Sequence, residues 1–333
     1  MNRVAVFAII ASLMAGCADR TSNSRFPDFR EFIEISSVSL DDEAEFEESI
    51  EDLSRLSFNS DELNSLFASS EVESLLVVYM QSHYDDPLRV ASLEKAIITE
   101  PNNRLVAMQQ VAHCSYANAR TLYDYCGRDA FEVLINLDPE NMMSYYLAAG
   151  YWGEKNNLDM ALSFLRKGNG KNNYDIYEEE YFRILTERAQ GFGHPRYVAD
   201  ANAFGSFSTT MHTKLLFELC KIPKSTAMQK DIRDECIVMG EKIEEYSKTI
   251  LGKAMGIGIQ VRTLEAMGNM DSQVKLIEQR RDSLMSASGM LEDIPNDLYT
   301  EKMWANFYEE LFQVGETEAF KNLANRARGA GDL

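Results

Sequence analysis

The sequence is poor in the two residues that most often interrupt helices, and it is poor in positive charge. Its 333 residues include 18 glycines and 7 prolines, and no alternating run rich in Val, Ile and Thr stands out. Both features favour an all-α fold. The chain has 33 Lys and Arg against 53 Asp and Glu, which gives a formal net charge of −20. Because phosphate binding needs clustered Lys and Arg, nucleic acid is a poor partner.

Motifs that identify enzymes and metal sites are also missing. The chain contains no GxSxG nucleophile elbow, no HExxH zinc motif and no P-loop. Its four histidines are His83, His113, His194 and His212, and the last two have no partner recognisable from the sequence. The set His113, Cys114 and Cys126 is a candidate zinc site, but its spacing matches no standard zinc pattern. We therefore predict no catalytic residue, no metal and no cofactor.

No apolar run is long enough for a membrane span, and the one that stands out lies at the N-terminus. Val4 to Ala15 follows Arg3; it is shorter than the ~20 residues of a span and is typical of a signal peptide. The next residues, Gly16 and Cys17, complete a resemblance to the bacterial lipoprotein box, although Met14 stands where that family prefers Leu. The resemblance implies a signal peptide over residues 1–16 and lipidation of Cys17. The alternative is an ordinary secretory signal with an incidental cysteine.

The same resemblance predicts the compartment. Residue 18 is Ala rather than the Asp associated with retention in the inner membrane. We therefore expect a bacterial envelope protein that is lipid-anchored, with the outer membrane favoured, and that faces the periplasm.

Four cysteines remain for the exported chain: Cys114, Cys126, Cys220 and Cys236. An even number in an exported protein suggests disulfides, and four cysteines allow three pairings. We choose the local pairs, 114–126 and 220–236; four buried free thiols are the alternative. Twelve residues of one helix would separate the Cα atoms by about 18 Å, beyond the ~7 Å that a disulfide tolerates. The chain must therefore turn within 115–125 and again within 221–235.

Residues 17–70 differ from the rest of the chain in their charge. The segment from Asp41 to Asp52 reads DDEAEFEESIED. Such a block of like charges repels itself and stays solvated. The apolar residues interleaved with and following it allow one short amphipathic helix; they are Phe46, Ile50, Leu53 and Leu56. We predict an acidic tether over residues 17–70 with this helix as its one ordered part.

The pattern between Leu137 and Asn173 goes beyond a single amphipathic helix. A turn containing Pro139, read as a helix-starting proline, precedes a first helix, and Asn156-Asn157 separates it from a second. The residues that carry the pattern are Tyr145, Ala148, Ala149, Trp152, Ala161, Leu165 and Gly168. Their order of large and small side chains resembles the tetratricopeptide (TPR) repeat, a helix–turn–helix unit, with Asn173 in place of the closing proline. The resemblance implies a helical hairpin and a binding function.

Two further frames precede this unit, closed by Pro101 and Pro139. We predict an all-α TPR-like helical-hairpin repeat array, an α-solenoid, over residues 71–190. It continues into a C-terminal α-helical bundle over residues 191–333, where the TPR positions are no longer recognisable. The segment from Lys253 to Gln260 reads KAMGIGIQ and is rich in small residues. It does not match a dinucleotide-binding fingerprint, and we expect close helix packing through Gly256.

Helical arrays bind partners in a groove that one helix of each pair lines. The TPR resemblance places Met143, Tyr146, Gly150 and Glu154 in that groove; the alternative is that Met143 and Tyr146 pack on a neighbouring helix. An apolar and aromatic groove suits an amphipathic helix or an extended peptide from a partner protein. Together with the expected location, this predicts a protein or peptide of the cell envelope as the partner.

Three functional hypotheses follow, of which the third is a structural envelope protein with no small ligand. The leading one is a lipid-anchored, periplasm-facing scaffold or adaptor that binds a protein or peptide partner. The alternative is an all-α enzyme that acts on cell-wall or glycan material with a carboxylate in the inter-domain cleft. A carboxylate with a raised pKa in a deep pocket would favour the enzyme, and an open apolar groove would favour the adaptor.

Overall fold

The computed structural model describes residues 58–83, 86–115, 124–207, 214–221, 226–268 and 300–331, together with residues 275, 277, 279 and 280. This part of the chain is helical and contains no β-strand, which confirms the all-α fold class. The signal peptide, the lipidation site Cys17 and the short helix predicted around Phe46 lie outside the described residues.

Fourteen α-helices and one 3-10 turn, Asp124–Cys126, form in the described residues. The helices are α1 (Ser60–Ser69), α2 (Val72–Gln81), α3 (Pro87–Thr99), α4 (Arg104–Cys114), α5 (Arg128–Leu137), α6 (Met142–Glu154), α7 (Leu158–Asn169), α8 (Glu178–Gly191), α9 (Arg196–Phe207), α10 (Lys214–Cys220), α11 (Ala227–Tyr246), α12 (Ile250–Ala266), α13 (Glu301–Val314) and α14 (Glu316–Gly331). None of them combines the length and the apolar character that a membrane span requires.

Short polar side chains fix where many of these helices begin. The caps that accept a backbone N–H of the first turn are Asn59, Asn103, Asn141, Asn157, Thr226, Thr249 and Thr300. Each satisfies a donor that has no partner inside its helix. The predicted helix-starting role of Pro139 is therefore corrected: α6 begins at Met142, and its cap is Asn141.

The chain divides into two compact units, each assembled from two separate segments. Unit 1 contains the described residues from 58 to 96 and from 178 to 207. Unit 2 contains those from 97 to 177 and from 214 onward. The loop from Gly191 to Pro195 joins α8 to α9 inside unit 1. The sequence-based division between residues 190 and 191 stays a prediction.

Unit 1 is organised around α2, eight of whose ten residues are buried. Helix α1 packs against α2, α2 packs against α8, and α8 packs against α9. Phe58, Leu63 and Leu66 are buried, so residues 58–70, which the charge pattern assigns to the tether, contribute to this core. Two ion pairs link α8 to the start of α2: Arg188 Nη2 lies 3.0 Å and Arg183 Nη2 3.1 Å from the carboxylate of Glu73.

Unit 2 is built from helical hairpins. Helix α4 packs against α5, α6 against α7, α11 against α12, and α13 against α14. Two contacts connect the second pair to later helices: α7 packs against α11, and α6 packs against α10. The hairpin predicted from the pattern between Leu137 and Asn173 thus forms, with its break at Lys155–Asn157.

A buried asparagine joins the two ends of the α6–α7 hairpin. The Nδ2 of Asn141 donates to the carbonyl oxygen of Asp175 over 2.7 Å, and its Oδ1 accepts from the N–H groups of Met143 and Asp175. The N–H of Met142 donates to the carbonyl oxygen of Asn173 over 2.8 Å. Asn141 is fully buried, so its side chain satisfies backbone groups that water cannot reach.

Glycines allow a close helix crossing in unit 2, between α11 and α12. A Cβ added at Gly256 would lie 2.5 Å from the carbonyl oxygen of Gly240, and one added at Gly240 would lie 2.7 Å from the carbonyl oxygen of Gly256. Contacts this short with backbone atoms exclude any side chain at either position. The predicted close packing through Gly256 is confirmed.

The structure confirms the predicted disulfide pairs. Cys114 and Cys126 are bonded with Cα atoms 5.1 Å apart, and Cys220 and Cys236 with Cα atoms 5.8 Å apart. All four cysteines are buried in unit 2. Helix α4 ends at Cys114 and α10 ends at Cys220. In each pair the helix therefore ends at the first cysteine, as the predicted turn requires.

Candidate functional site

The four residues predicted to bind a partner lie along α6, and three of them are buried. Met143 and Tyr146 are 4% and 0% exposed, and Gly150 faces α10, where an added Cβ would lie 2.8 Å from the Cβ of Leu215. Glu154, at the end of α6, is exposed. Helix α10 of the same chain therefore occupies part of the predicted groove. An external partner reaches Gly150 only if that helix moves away.

Tyr146 is held by a polar network that spans three helices. Its hydroxyl donates to Oδ1 of Asn169 on α7 over 2.8 Å, and Nδ2 of Asn169 donates to a carboxylate oxygen of Glu235 on α11 over 2.8 Å. Burial, together with the nearby charge of Glu235, raises the pKa of the Tyr146 hydroxyl well above its usual range. The phenol therefore stays protonated, and its role here is to connect α6 with α7 and, through Asn169, with α11.

Unit 1 carries an open concavity of about 580 Å³ at the beginning of α1. Its lining residues are Asn59, Ser60, Asp61, Glu62 and Phe192. Phe192 is 37% exposed, and Asp61 is exposed. The wall thus combines an aromatic ring with carboxylates, which is the chemistry that accommodates a cationic group beside an apolar one.

The charged part of this wall is fixed by hydrogen bonds. Oε2 of Glu62 accepts from the N–H of Asn59 over 2.9 Å, while Oδ1 of Asn59 accepts from the N–H groups of Asp61 and Glu62 over 3.0 Å. This reciprocal arrangement is a capping box. Oε1 of Glu62 lies 3.1 Å from Nε2 of His194. Glu62 therefore uses one oxygen to cap α1 and the other to bind the imidazole.

The aromatic part of the wall comes from the loop that follows α8. The rings of Phe58 and Phe192 meet edge to face with centroids 6.2 Å apart, and the Phe58 ring lies 5.9 Å from that of His194. Gly193, which lies between Phe192 and His194 in the chain, has φ +88°, a conformation that glycine adopts without strain. The loop can thus present Phe192 and His194 together, with Phe58 buried beneath them.

The sequence left this site unrecognised because its two halves lie far apart in the chain. Glu62 and His194 are separated by 132 residues, and the acidic composition before residue 70 pointed to a tether. One local signal was present: Asn59 followed by Glu62 matches the spacing of a capping box. That signal predicts the start of α1 but not the histidine.

The candidate zinc ligand His113 and the two histidines without a recognisable partner, His194 and His212, fall in different places. His113 is buried beside Cys114, and its ring lies 6.0 Å from that of Tyr125. His194 lies 3.1 Å from Glu62, which lines the concavity, and His212 lies outside the described residues. Within the part of the chain that the structure describes, no group of three or more His, Cys, Asp or Glu side chains is arranged to hold a metal ion.

A carboxyl group with a raised pKa occurs at Glu316, the first residue of α14. Burial raises its pKa to about 7, against an opposing effect of a hydrogen bond from the N–H of Ile250. Glu316 is 6% exposed, and its carboxyl group contacts the first residue of α12. It therefore serves the packing of unit 2 and does not line an open pocket of the kind that a glycan would need.

The chain was compared with known proteins in three ways. No protein-family model, no curated protein and no solved structure matches it.

Proposed function

We propose that this protein is a lipid-anchored, periplasm-facing helical adaptor of the bacterial cell envelope, and that it binds a basic segment of a protein partner at the unit 1 concavity. The single observation that carries the binding part of the proposal is the composition of that concavity: its wall combines the exposed Phe192 ring with the exposed carboxylate of Asp61 and with Glu62.

The disulfides support the exported location. Two pairs of cysteines are bonded, and such bonds form and persist in oxidising compartments. This observation agrees with the signal peptide and the lipidation of Cys17 that the lipoprotein resemblance implies.

The hairpin α6–α7 supports the TPR-like architecture. Helices of 13 and 12 residues are joined by a short turn, as in a TPR unit. Of the positions that carry the resemblance, Trp152 is half-buried and the others are buried; they are Tyr145, Ala148, Ala149, Ala161, Leu165 and Gly168. We extend this architecture to the neighbouring α4–α5 pair, in which Phe131 and Leu134 are buried.

The concavity supports a basic partner in preference to an acidic one. The chain carries a formal net charge of −20, so a positively charged segment is attracted and an acidic one repelled at long range. Asp61 lies at the wall to receive a Lys or Arg, and the Phe192 ring offers a cation–π surface and an apolar contact to the residue beside it. A short segment containing Lys or Arg next to an apolar residue fits both features.

The enzyme alternative gains no comparable support. Glu316, whose raised pKa is the feature expected of a catalytic acid, is buried against the start of α12. Glu62 and His194 lie at the concavity, but Glu62 is already engaged by the Asn59 N–H on its other oxygen. Neither arrangement positions a group over a substrate.

Site-specific photocrosslinking in intact envelopes tests this proposal. A photoreactive phenylalanine analogue replaces Phe192 in one version of the full chain and Met160 in a matched version, because both side chains are 37% exposed. We expect a crosslinked partner peptide containing Lys or Arg from position 192 and none from position 160. Cys17→Ala provides the control for anchoring, and we expect it to release the chain from the membrane fraction.

Charge reversal then tests the chemistry of the site. We expect Asp61→Lys to weaken binding of the captured partner at least tenfold, since it places like charges against each other, while Glu154→Lys leaves binding within twofold. Equal crosslinking from positions 192 and 160, or an unchanged affinity of Asp61→Lys, would reject the concavity as the binding site. A Cys17→Ala chain that stays in the membrane fraction would reject the lipid anchor.

A further inference from the structure

Helix α11 buries an arginine whose hydrogen-bonding groups are only partly satisfied. The side chain of Arg233 is 0% exposed. Its Nη1 donates to the carbonyl oxygen of Ala266 over 3.4 Å, which is longer than the roughly 3.2 Å at which such bonds usually end. Nε and Nη2 are buried and have no hydrogen-bond partner in the part of the chain that the structure describes. The guanidinium group thus has one weak contact and two donor nitrogens left over.

This burial is unfavourable because arginine cannot give up its charge. A buried carboxyl or ammonium group can become neutral, whereas a guanidinium group stays protonated in proteins. Ala266 is the last residue of α12, and the carbonyl groups at the end of a helix carry partial negative charge. That end compensates Nη1 alone. A buried charge left without an opposite charge is strongly destabilising, so the surroundings of Nε and Nη2 favour a negative group.

The two nitrogens without a partner lie on the same edge of the planar guanidinium group. Their N–H bonds run side by side and form the fork that binds two oxygens of a carboxylate or phosphate. Arg166 on α7 uses this edge fully: its Nε donates to Glu235 and its Nη2 to Asp231, over 3.1 Å each. Arg233 has the same fork, buried, and no acidic side chain of the described residues binds it.

The acidic residues next to Arg233 on α11 bind other cations. Asp231 and Glu235 pair with Arg166. Asp234 is exposed, and its Oδ2 lies 2.6 Å from Nζ of Lys230. These carboxylates belong to the surface of the helix, so they do not supply the negative charge that the buried fork lacks.

We propose that Arg233 is the anchor of an interior site for a small oxyanion, in which a carboxylate or phosphate group places one oxygen against Nε and another against Nη2. Because the side chain is sealed from water, the ion has few atoms and enters as the chain folds or as α11 and α12 separate locally. Once bound, it neutralises the charge that α11 brings against the end of α12. The site lies in unit 2, and it stands or fails independently of the concavity in unit 1.

Equilibrium unfolding of the full chain in urea measures this binding. An ion that binds only the folded state lowers the unfolding equilibrium constant, by about elevenfold when it is present at ten times its dissociation constant. Both tryptophans of the chain, Trp152 and Trp304, belong to unit 2, so their fluorescence follows that unit. Sodium phosphate or sodium acetate replaces sodium chloride at constant ionic strength. We expect a saturable decrease of about tenfold with at least one of the two oxyanions.

Two variants separate a bound ion from a general effect of salt on stability. Arg233→Met keeps a long side chain and removes the charge. Arg166→Met is the matched control, because acidic side chains already fill the same edge of that arginine. We expect Arg233→Met to lose the saturable response and Arg166→Met to keep it. A response to acetate identifies a carboxylate as the ligand, and a response to phosphate alone identifies a phosphate. A wild type without a saturable response, or one that Arg233→Met shares, would overturn the site.

A second measurement follows the guanidinium group of the wild type, so the test stands even where Arg233→Met fails to fold. The chain is labelled with ¹⁵N-arginine and refolded in chloride, phosphate or acetate. The Nε–H resonance of Arg233 is assigned with Arg233→Lys, which keeps the positive charge. We expect this resonance to shift in the oxyanion that lowers the unfolding equilibrium constant. The same chemical shift in all three salts would equally contradict the proposal.

Discussion

Two glutamates, one in each unit, accept a backbone N–H at the beginning of a helix, yet their surroundings differ. Glu62 in unit 1 caps its own helix, binds His194 and borders an open concavity. Glu316 in unit 2 receives the N–H of another helix and is sealed from water. In unit 1, the hydrogen bond from a backbone N–H to the glutamate forms within one helix and is exposed. In unit 2, it joins two helices and is buried. In unit 2, burial raises the pKa of Glu316 even though the hydrogen bond from Ile250 opposes the change.

Reducing the disulfides should produce the largest difference in stability between the two units. Both bonds lie in unit 2, and each should stabilise it by about 3 kcal/mol through the loop it closes. We expect reductant to accelerate hydrogen exchange in α4, α5 and α11 while exchange in α2 stays unchanged. Exchange is measured by mass spectrometry of the intact chain. Equal acceleration in α2 would show that the stability of unit 1 depends on unit 2.

A methyl group at the glycine crossing tests how tightly unit 2 is packed. Gly256→Ala places a Cβ 2.5 Å from backbone atoms of α11, so it should cost about 2–3 kcal/mol of unfolding free energy as the helices separate. Thermal unfolding followed by circular dichroism provides the measurement.

Its matched control lies in unit 1. Gly191, the last residue of α8, has nothing within 4 Å of an added Cβ. We expect Gly191→Ala to be neutral or slightly stabilising. A similar loss for both variants would mean that packing is no tighter in unit 2 than in unit 1.

Replacing each of the two glutamates by alanine compares their contributions to the free energy of unfolding directly. At pH 5, Glu316→Ala should cost about 2 kcal/mol, since it leaves the buried N–H of Ile250 without a partner. Glu62→Ala should cost about 1 kcal/mol, the usual loss of an exposed cap, because water replaces the carboxylate. Urea unfolding at low and high salt measures both. A larger loss for Glu62→Ala would reverse the distinction drawn between the sites.

The ion pairs on the surface of unit 1 should contribute least. Arg188 lies 2.9 Å from Glu71 and 3.0 Å from Glu73, but these side chains are partly solvated and screened by salt. We expect Arg188→Ala to reduce the unfolding free energy by less than 1 kcal/mol, and half a molar of salt to remove most of the difference. A loss that is insensitive to salt would indicate that packing of the arginine stem matters more than its charge.

Local patterns in the sequence predicted much of the helical framework. The break at Asn156-Asn157 is found where the turn residues place it. The even number of cysteines in an exported chain led to the choice of the two local disulfides, and helix geometry then predicted a turn inside each pair. The start of α6 was misplaced at Pro139, since Asn141 provides the stronger cap through its side chain.

The predicted binding face shows where local patterns stop being sufficient. The spacing of Met143, Tyr146 and Gly150 places them on one face of α6 but does not say what covers that face. Helix α10, more than 60 residues later in the chain, approaches Gly150 because no side chain prevents it. Sequence spacing defines a face of a helix; only the path of the whole chain determines whether that face meets solvent.

The sequence by itself determined that this protein is acidic and all-α, and it predicted the two local disulfides that the structure contains. Each of these properties follows from composition or from spacing within about 20 residues, where backbone geometry leaves few alternatives. Only the tertiary structure decided that Glu62 meets His194 beside Phe192, and that Glu316 is sealed against the start of α12. Those contacts join residues that are distant in the chain, and the energy of each depends on burial, which no local pattern specifies.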